Sequence, residues 1–316
     1  MTTTTTTSDG RPAGGGRGAD PGGLEAAILR TLAYADVFDF ALREPELHRY
    51  LIGRAAMPHE VRSALAGMDG RVARRDGLVS LAGREPLLDA RQERRRIAAR
   101  TWPAALRYAR AVGSLPFVRM VAITGALAVG NATEGADIDL LVVTAPGRVW
   151  LARAETIAIV RYAARGGLDL CPNYFLSERA LALDGQDLYG AHELTQLVPV
   201  VGVGVYRRLR AANPWTFTHL PNAGGAPFDG QAGRSAPLRH ARKVTERLLR
   251  SPLGEIAEAW ERRKIDRFQA AAAARGATLE ASFSVDWCKG HLDAHGARIR
   301  SAYEARTQAL GVEPLW

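Results

Sequence analysis

The sequence predicts an α/β protein, α+β overall, in which a small mixed sheet is joined to an N-terminal helical unit and to C-terminal helices. Helical periodicity runs from residue 23 to residue 113, with a short β-like hairpin inside it. Three apolar runs typical of buried strands then alternate with helical segments, and helical periodicity returns after residue 236. A chain of 316 residues is long enough to build these parts as two or three domains.

Composition and charge indicate where the protein is located and which classes of partner it can bind. Two cysteines cannot form a disulfide framework, and the first residues lack the basic-then-apolar pattern of a secretion signal. The longest strongly apolar run, 197–206, is about half the roughly 20 residues that a membrane-spanning helix needs. We therefore expect a cytoplasmic protein with no membrane partner. The formal net charge of +9 permits polyanionic partners such as nucleotides or nucleic acid.

The N-terminal region divides into a tail and a helical unit. Residues 1–22 are rich in Thr, Gly and Pro and predict a disordered tail, because few apolar side chains are present to offset the entropy of ordering. Residues 23–84 predict three helices followed by two β-like runs around the turn at Asp76 and Gly77. This order of elements resembles a winged helix domain.

The resemblance leaves the role of this unit open. Winged helix domains often bind DNA with the third helix in the major groove and the wing on the backbone, but others are protein–protein or interdomain modules. The candidate third helix carries His59, Arg62 and Ser63 but also Glu60, so it is not conspicuously basic. Under the DNA-binding interpretation, nucleic acid is the partner of this unit. The wing contributes Arg71, Arg74 and Arg75.

A linker helix and a sheet core follow. Residues 85–113 predict one long Arg-rich helix, interrupted near Trp102 and Pro103, which we interpret as a solvated linker rather than an RNA-binding surface. Residues 114–220 predict the sheet core, with helices on one face of the sheet. Its predicted elements are strands at 118–123, 138–143 and 168–176 and helices at 149–164 and 188–209.

The last part of the chain predicts a loop and a helical region. Residues 221–235 are rich in Gly, Pro and Ser and predict the loop. Residues 236–316 predict a C-terminal helical region, whose final helix covers roughly 287–309.

Two aspartates at the start of the second predicted strand carry the chemistry. The first strand ends at Gly125, where the backbone can turn and lie close to a ligand. The short helix that follows, through Ala126, has N-terminal N–H groups that suit a phosphate. Asp137 and Asp139 are two residues apart on the next strand and therefore share one face. Two adjacent carboxylates repel each other, and oxygen ligands at this spacing suit Mg²⁺, so we predict that both hold a divalent cation.

This stretch resembles the signature of the polymerase-β-type nucleotidyltransferase superfamily. That signature is Gly-Gly or Gly-Ser, about ten residues, and an acidic-x-acidic pair between apolar residues. Here Gly125 and Ala126 are followed by ten residues and then by Asp137 and Asp139. Ala126 departs from the pattern, because the family usually has Ser or Gly there. Phosphate contact would then depend on backbone N–H groups and on Thr124 or Asn131.

The resemblance also implies a third carboxylate on a later strand, which serves as metal ligand and as general base for the acceptor hydroxyl. Asp169 is our candidate, with Asn173 as the alternative on the same face, four residues further on. Asparagine cannot take a proton, and the choice between the two stays open. On the helix after this strand, His192 and Glu193 either contact the substrate or, for His192, serve a structural role.

A polar segment near the C-terminus, read as part of a helix, allows three interpretations. Cys288, His291 and His295 would lie one turn apart and could bind a transition metal such as zinc. Alternatively, Lys289 reaches a phosphate and closes the site, or the segment packs as an ordinary helix. We carry Lys289 forward as a candidate nucleotide ligand.

Similarity over a larger part of the chain supports the same family. The segments 32–39, 171–176, 188–194 and 288–291 resemble a group of bacterial proteins that join an N-terminal winged helix to a nucleotidyltransferase domain. The resemblance implies transfer of NMP from an NTP, expected to be ATP, to a hydroxyl on a small molecule, an RNA end or a protein, with release of pyrophosphate. Mg²⁺ or Mn²⁺ would be bound by Asp137, Asp139 and Asp169. The alternative is a non-catalytic winged-helix DNA-binding regulator with a degenerate nucleotide-sensing domain.

Overall fold

The computed structural model describes residues 21–225, 239–274, 281–290 and 295–316, and it is an α+β protein with two sheets. Helices in these ranges are α1 Pro21–Asp36, α2 Glu44–Arg49, α3 Pro58–Ala66, α4 Pro86–Gly113, α5 Gly125–Ala128, α6 Val149–Arg165, α7 Leu188–Gln196, α8 Val203–Ala211, α9 Thr216–His219, α10 Arg239–Leu249, α11 Pro252–Arg262, α12 Lys264–Ala274 and α13 His295–Ala309. Strands are β1 Leu42–Arg43, β2 Val72–Arg75, β3 Leu78–Leu81, β4 Val118–Ile123, β5 Ile138–Thr144, β6 Leu170–Ser177, β7 Val198–Val201, β8 Ala281–Phe283 and β9 Trp287–Gly290.

The N-terminal unit consists of α1, α2 and α3 packed on a three-stranded antiparallel sheet of order β1-β3-β2. The predicted hairpin is confirmed, since β2 pairs with β3 across Asp76 and Gly77. Strand β1 was missed because it is only two residues long. The tail predicted over residues 1–22 lies outside the described residues up to position 20, and α1 already begins at Pro21. Apolar side chains of the helices and strands share one core, which includes Ile28, Leu32, Leu47, Leu65 and Val79.

Helix α4 is continuous, so the predicted interruption near Trp102 and Pro103 is wrong. A proline inside a helix removes one backbone hydrogen bond, but burial of Ala98 before Pro103 and of Ala105 after it holds both sides of the helix in place. Arg95, Arg96 and Arg100 of this helix are exposed, as expected of a solvated linker, but Arg91 is not. Arg91 is 2% exposed and packs between the N-terminal unit and the loop after α5.

The large sheet is mixed and has the order β7-β4-β5-β6-β9-β8. Strands β5 and β6 are parallel and joined through α6, and the other neighbouring pairs are antiparallel. Helices cover both faces, which corrects the predicted single covered face. On one face Val121 and Leu140 pack with α4 and α6, and on the other Met120 and Leu141 pack with α7 and α8. No helix in the described part of the chain combines the length and apolarity needed to cross a membrane.

The segment predicted as one helix over 188–209 is instead helix α7, strand β7 and helix α8. Pro199 lacks the N–H that a helix interior requires, and Val198, Val200 and Val201 favour an extended chain. Gly202 then turns the backbone with φ +81°, at a point where a side chain would overlap the backbone carbonyl of Arg119.

The helical region predicted over 236–316 contains α10 to α13 in its described part, but it also contains β8 and β9, which extend the large sheet. Trp287, Cys288 and Lys289 belong to β9, which pairs with β6, so the predicted helix over 287–309 begins only at His295. The one-turn spacing proposed for a zinc site therefore does not exist, and His291 lies outside the described residues. The predicted loop over 221–235 is described only as far as residue 225, where no helix or strand occurs.

Candidate metal centre

Asp139 lies directly against the turn that joins β4 to α5. The backbone N–H of Thr124 donates to the carbonyl of Asp139 at 3.1 Å. Gly125 follows with φ +67°, and a Cβ at that position would overlap Oδ2 of Asp139. Only glycine therefore permits both the backbone conformation and the close approach of the carboxylate. Asp137 is exposed and directly precedes β5.

Three metal-ligating groups meet at this end of β5. One ligand atom each from Asp137, Asp139 and Cys171 lies within 4.8 Å of the other two, and within the described ranges this is the only such group of three. Cys171 reaches the aspartates because Asp139 is its partner in the parallel pairing of β5 with β6. The sequence reasoning considered only oxygen ligands, and the register that brings in the thiol is a non-local property.

Asn173 and Asp169, the two candidates for the third position, take different places. The amide of Asn173 donates to Oδ1 of Asp139 at 2.9 Å and accepts from the Cys171 thiol at 2.8 Å. Asp169 accepts from the backbone N–H of Ile138 through its own carbonyl at 2.9 Å, and its carboxylate is not part of the three-residue group. Asn173 therefore orients the metal-binding groups, while Asp169 lies next to them.

Glu193 on α7 is a carboxylate that the sequence analysis weighed only as a substrate contact. The hydroxyl of Thr124 donates to Glu193 Oε2 at 3.2 Å. Burial raises the pKa of Glu193, and this hydrogen bond partly opposes the shift. Its charge in turn influences Asp139, so Glu193 faces the aspartate pair from the helix that covers the sheet.

No Lys or Arg of the described residues pairs with the carboxylates of this site. Burial raises the pKa of Asp139 to about 7, and the charges of Asp137 and Glu193 add to the rise. Among the residues that the structure describes, none of these three carboxylates forms an ion pair with Lys or Arg. Such a cluster is costly when ionised, and a bound cation would relieve the repulsion.

Asn131 and Ala126, both predicted to contact phosphate, differ in exposure. The Asn131 amide donates to the carbonyl of Phe38 at 3.1 Å and accepts from Arg94 at 3.2 Å, and the residue is buried. Ala126 is exposed at the start of α5, and its carbonyl accepts from the backbone N–H of Asn131 at 2.8 Å. The Asn131 side chain therefore connects the loop after α5 to the N-terminal unit. Of these two predicted phosphate contacts, only Ala126 is exposed to solvent.

His192 has a structural role. It is buried, its ring stacks on Tyr34 with the centroids 4.0 Å apart, and Nδ1 contacts the carbonyl of Leu188 at 3.0 Å. Burial lowers its pKa to about 4, so the ring is neutral at physiological pH.

Lys289 lies beside a pocket on the same sheet face as Asp139. Its ammonium sits over the rings of Tyr174 and Trp287, at 5.5 and 5.4 Å from their centroids. Tyr174 is the strand neighbour of both Leu141 and Lys289, and its hydroxyl is influenced by Asp184 and Glu193. The pocket has a volume of about 240 Å³. Its lining includes Leu176, Leu183, Asp184, Asp286, Trp287 and Lys289.

The exposed surface of the N-terminal unit carries mixed charge. His59, Arg62 and Ser63 on α3 are exposed, as the sequence analysis expected of a DNA-contacting helix. The three wing arginines, however, each have an acidic neighbour in ion-pair range, which neutralises much of their charge. These pairs are Arg71 with Glu25, Arg74 with Asp69 and Arg75 with Asp89.

No family model matches the chain, and neither a curated protein nor a solved structure matches it. The resemblance described above therefore depends on the motif and on the geometry of the site.

Proposed function

We propose that this chain is a metal-dependent nucleotidyltransferase that moves NMP from an NTP to a hydroxyl acceptor and releases pyrophosphate. The observation that carries the proposal is the meeting of Asp137 and Asp139 against the Gly125 turn, with no basic partner among the described residues. The spacing of these residues in the sequence, which resembles the superfamily signature, supports it.

In this proposal Asp137 and Asp139 hold the cation through carboxylate oxygens, and Asn173 fixes the orientation of Asp139. When bound, the cation neutralises charge on the triphosphate and orients its α-phosphate for in-line attack. Gly125 keeps the backbone of the turn free of a side chain next to Asp139, which leaves its surface open to a phosphate.

The acceptor oxygen forms a bond to the α-phosphorus, and the bond from that phosphorus to the oxygen bridging to the β-phosphate breaks. Pyrophosphate carries away the released electron pair. We assign the proton of the acceptor hydroxyl to Glu193, which faces Asp139 and accepts a hydrogen bond from Thr124. Asp169, the base predicted from the sequence, is the alternative, since its charge also acts on Asp139.

The pocket beside Tyr174 is where we place the remainder of the nucleotide. It offers the ring of Trp287 for stacking and the ammonium of Lys289 for an anionic group. The ammonium forms no ion pair with a described carboxylate, although Asp184 and Asp286 line the same pocket.

Labelled NTPs, incubated with Mg²⁺ or Mn²⁺ and a panel of small-molecule, RNA and protein acceptors, test the proposal. Asp137→Asn and Asp139→Asn should each lower transfer on the order of 1,000-fold, because loss of a metal ligand removes several kcal/mol of transition-state stabilisation. Asp266→Asn, at an exposed position on α12, is the matched control and should leave transfer unchanged. Unchanged transfer in both site variants, or failure of the chain to bind any NTP in the presence of metal, contradicts the proposal.

The exposed His59, Arg62 and Ser63 favour the alternative, a DNA-binding regulator without catalysis. Mobility shifts with genomic fragments at several salt concentrations test it. A specific binder retains its sequence preference as salt rises, whereas an Arg-rich surface without specificity releases all fragments alike.

A further inference from the structure

The third group at the metal centre is a thiol, where a Mg²⁺ site would present oxygen. Cys171 lies opposite Asp139 on the neighbouring strand, and its sulfur is within 4.8 Å of a carboxylate oxygen of each aspartate. The amide of Asn173 contacts both Asp139 and Cys171, so one side chain positions two of the three groups.

This set of groups fits Mg²⁺ only in part. Mg²⁺ takes oxygen ligands in a strict octahedron and retains water, and a thiolate is a poor partner for it. Zn²⁺ and Co²⁺ accept thiolate together with carboxylate, and Zn²⁺ is commonly held in four-coordinate sites with sulfur at about 2.3 Å. Two carboxylates and one thiolate, with the fourth position open to substrate or water, match the second class of cation.

Two further observations indicate that this position serves a ligand. The chain has 42 Lys and Arg residues against 33 Asp and Glu, yet Asp137, Asp139 and Glu193 have no basic partner among the described residues. Cys171 also has no disulfide partner: Cys288, the other cysteine of the chain, is free and packs into the core on the opposite face of the sheet. The negative cluster therefore has no compensating charge among the described residues, and the thiol forms no disulfide.

We infer that the metal centre is a mixed site of Asp137, Asp139 and Cys171 that selects a thiophilic divalent cation of the Zn²⁺ and Co²⁺ class over Mg²⁺. As the sulfur–metal bond forms, the thiol proton leaves to solvent, and no oxidation state changes. The inference rests on the proposed function for the role of the metal, but the selectivity of the site is measurable without turnover.

Titration of the untagged, full-length protein with Co²⁺ provides the first test. The wild type should develop a sulfur-to-cobalt charge-transfer band in the near ultraviolet that saturates at one equivalent. Cys288→Ala is the matched control and should keep the band, whereas Cys171→Ser should lose it. Absence of the band from the wild type, or its persistence in Cys171→Ser, overturns the inference.

Calorimetry with Zn²⁺ and Mg²⁺ alone provides the second test. Cys171→Ser should weaken Zn²⁺ binding on the order of 100-fold and leave Mg²⁺ binding unchanged, because only the soft cation gains from sulfur. Cys171→Asp should reverse the preference by adding a third carboxylate, and Mg²⁺ should bind it more tightly than it binds the wild type. Equal effects of Cys171→Ser on both ions overturn the inference.

The two proposals fail separately. Nucleotidyl transfer supported by Mg²⁺, with no thiolate band, refutes the thiol ligand and retains the transferase. A thiolate band that saturates at one equivalent in a chain that binds no NTP refutes the transferase and retains the mixed metal site.

Discussion

Two groups of carboxylates in this protein have opposite surroundings. In the first, which we call the seam, three carboxylates of the N-terminal unit each have at least one arginine partner. Asp36 accepts from Arg84 at 2.5 Å and from Arg306 at 2.7 Å. In the second, the metal centre, Asp137 and Asp139 have none among the described residues. The seam consists of Asp36, Asp39 and Glu46 with Arg84, Arg91, Arg94 and Arg306.

The difference separates structural charge from charge held for a ligand. A paired, partly buried carboxylate fixes the elements it joins, and in the seam these are α1, α2, α4 and α13. An unpaired cluster lowers the stability of the metal-free protein and is relieved only when a cation binds. The same residue types therefore hold the protein together at one place and prepare it for a ligand at another.

The largest effect should follow from breaking a pair in the seam. Arg91 is buried, bonds Glu46 at 2.9 Å and the carbonyls of Val129 and Gly130, and lies over the ring of Phe40. Arg91→Met removes the donor from the two carbonyls and leaves Glu46 with Arg43 as its partner, so the free energy of unfolding should fall by about 3 kcal/mol.

Chemical denaturation measures this change, with Arg100→Met as the control. Arg100 pairs with Glu134 in full contact with solvent, so its loss should cost about 0.5 kcal/mol or less. Equal losses in the two variants would show that burial of the seam does not matter.

The next effect concerns the unpaired acid on α7. Glu193→Gln preserves the hydrogen bond from Thr124 but cannot take a proton, so kcat should fall about 100-fold with little change in KM for the NTP. Asp169→Asn is the paired test and should change kcat only a few-fold. Rate measurements that give the reverse order return the role of base to Asp169, as the sequence analysis predicted.

A smaller effect links the metal centre to pH. The pKa of Asp139 is raised to about 7, so between about pH 4 and 7 the folded state binds more protons than the unfolded state. Stability of the metal-free protein should therefore fall as pH rises through this window, by about 2 kcal/mol once coupling to Asp137 and Glu193 is allowed for.

Asp139→Asn removes the titrating group and can still accept from Asn173, so its unfolding free energy should decline less over the same window. Melting temperatures from pH 4 to pH 8 measure this difference. A divalent cation added at pH 8 should raise the melting temperature of the wild type and not that of the variant. If the melting temperatures of the two proteins change in parallel with pH, the pKa of Asp139 is not raised in the folded state.

The features that the sequence predicted are local ones. The alternation of Asp137 and Asp139 and the glycine before α5 can be read within a few residues, and so can the hairpin at Asp76. Cys171 could not be found in this way, because its approach depends on the register of a parallel pair that is interrupted by a bulge after Asp139.

The features that the sequence missed depend on partners far along the chain. Strand β9 was read as helix, since its extended conformation depends on pairing with β6, which is distant in the sequence. Arg91 was read as part of a solvated linker helix, because its partners Glu46 and the carbonyl of Gly130 are 45 and 39 residues away in the sequence. Nothing in the local pattern distinguishes it from the exposed Arg100.

The smallest effect tests whether Lys289 contacts the same nucleotide as the carboxylates of the metal centre. Lys289 is half-buried, and burial lowers its pKa, opposed by the charge of Asp184. Lys289→Met retains the aliphatic stem over Tyr174 and Trp287 but removes the charge, so KM for the NTP should rise roughly five- to tenfold, about 1 kcal/mol, with kcat unchanged.

Lys264→Met is the control, because Lys264 already pairs with Glu261 at 2.5 Å. An unchanged KM would show that the nucleotide does not occupy the pocket, although the pocket and the metal centre lie on the same face of the sheet. A rise in KM that disappears at high salt would instead identify Lys289 as a long-range electrostatic contribution, since only a contact within the pocket resists screening.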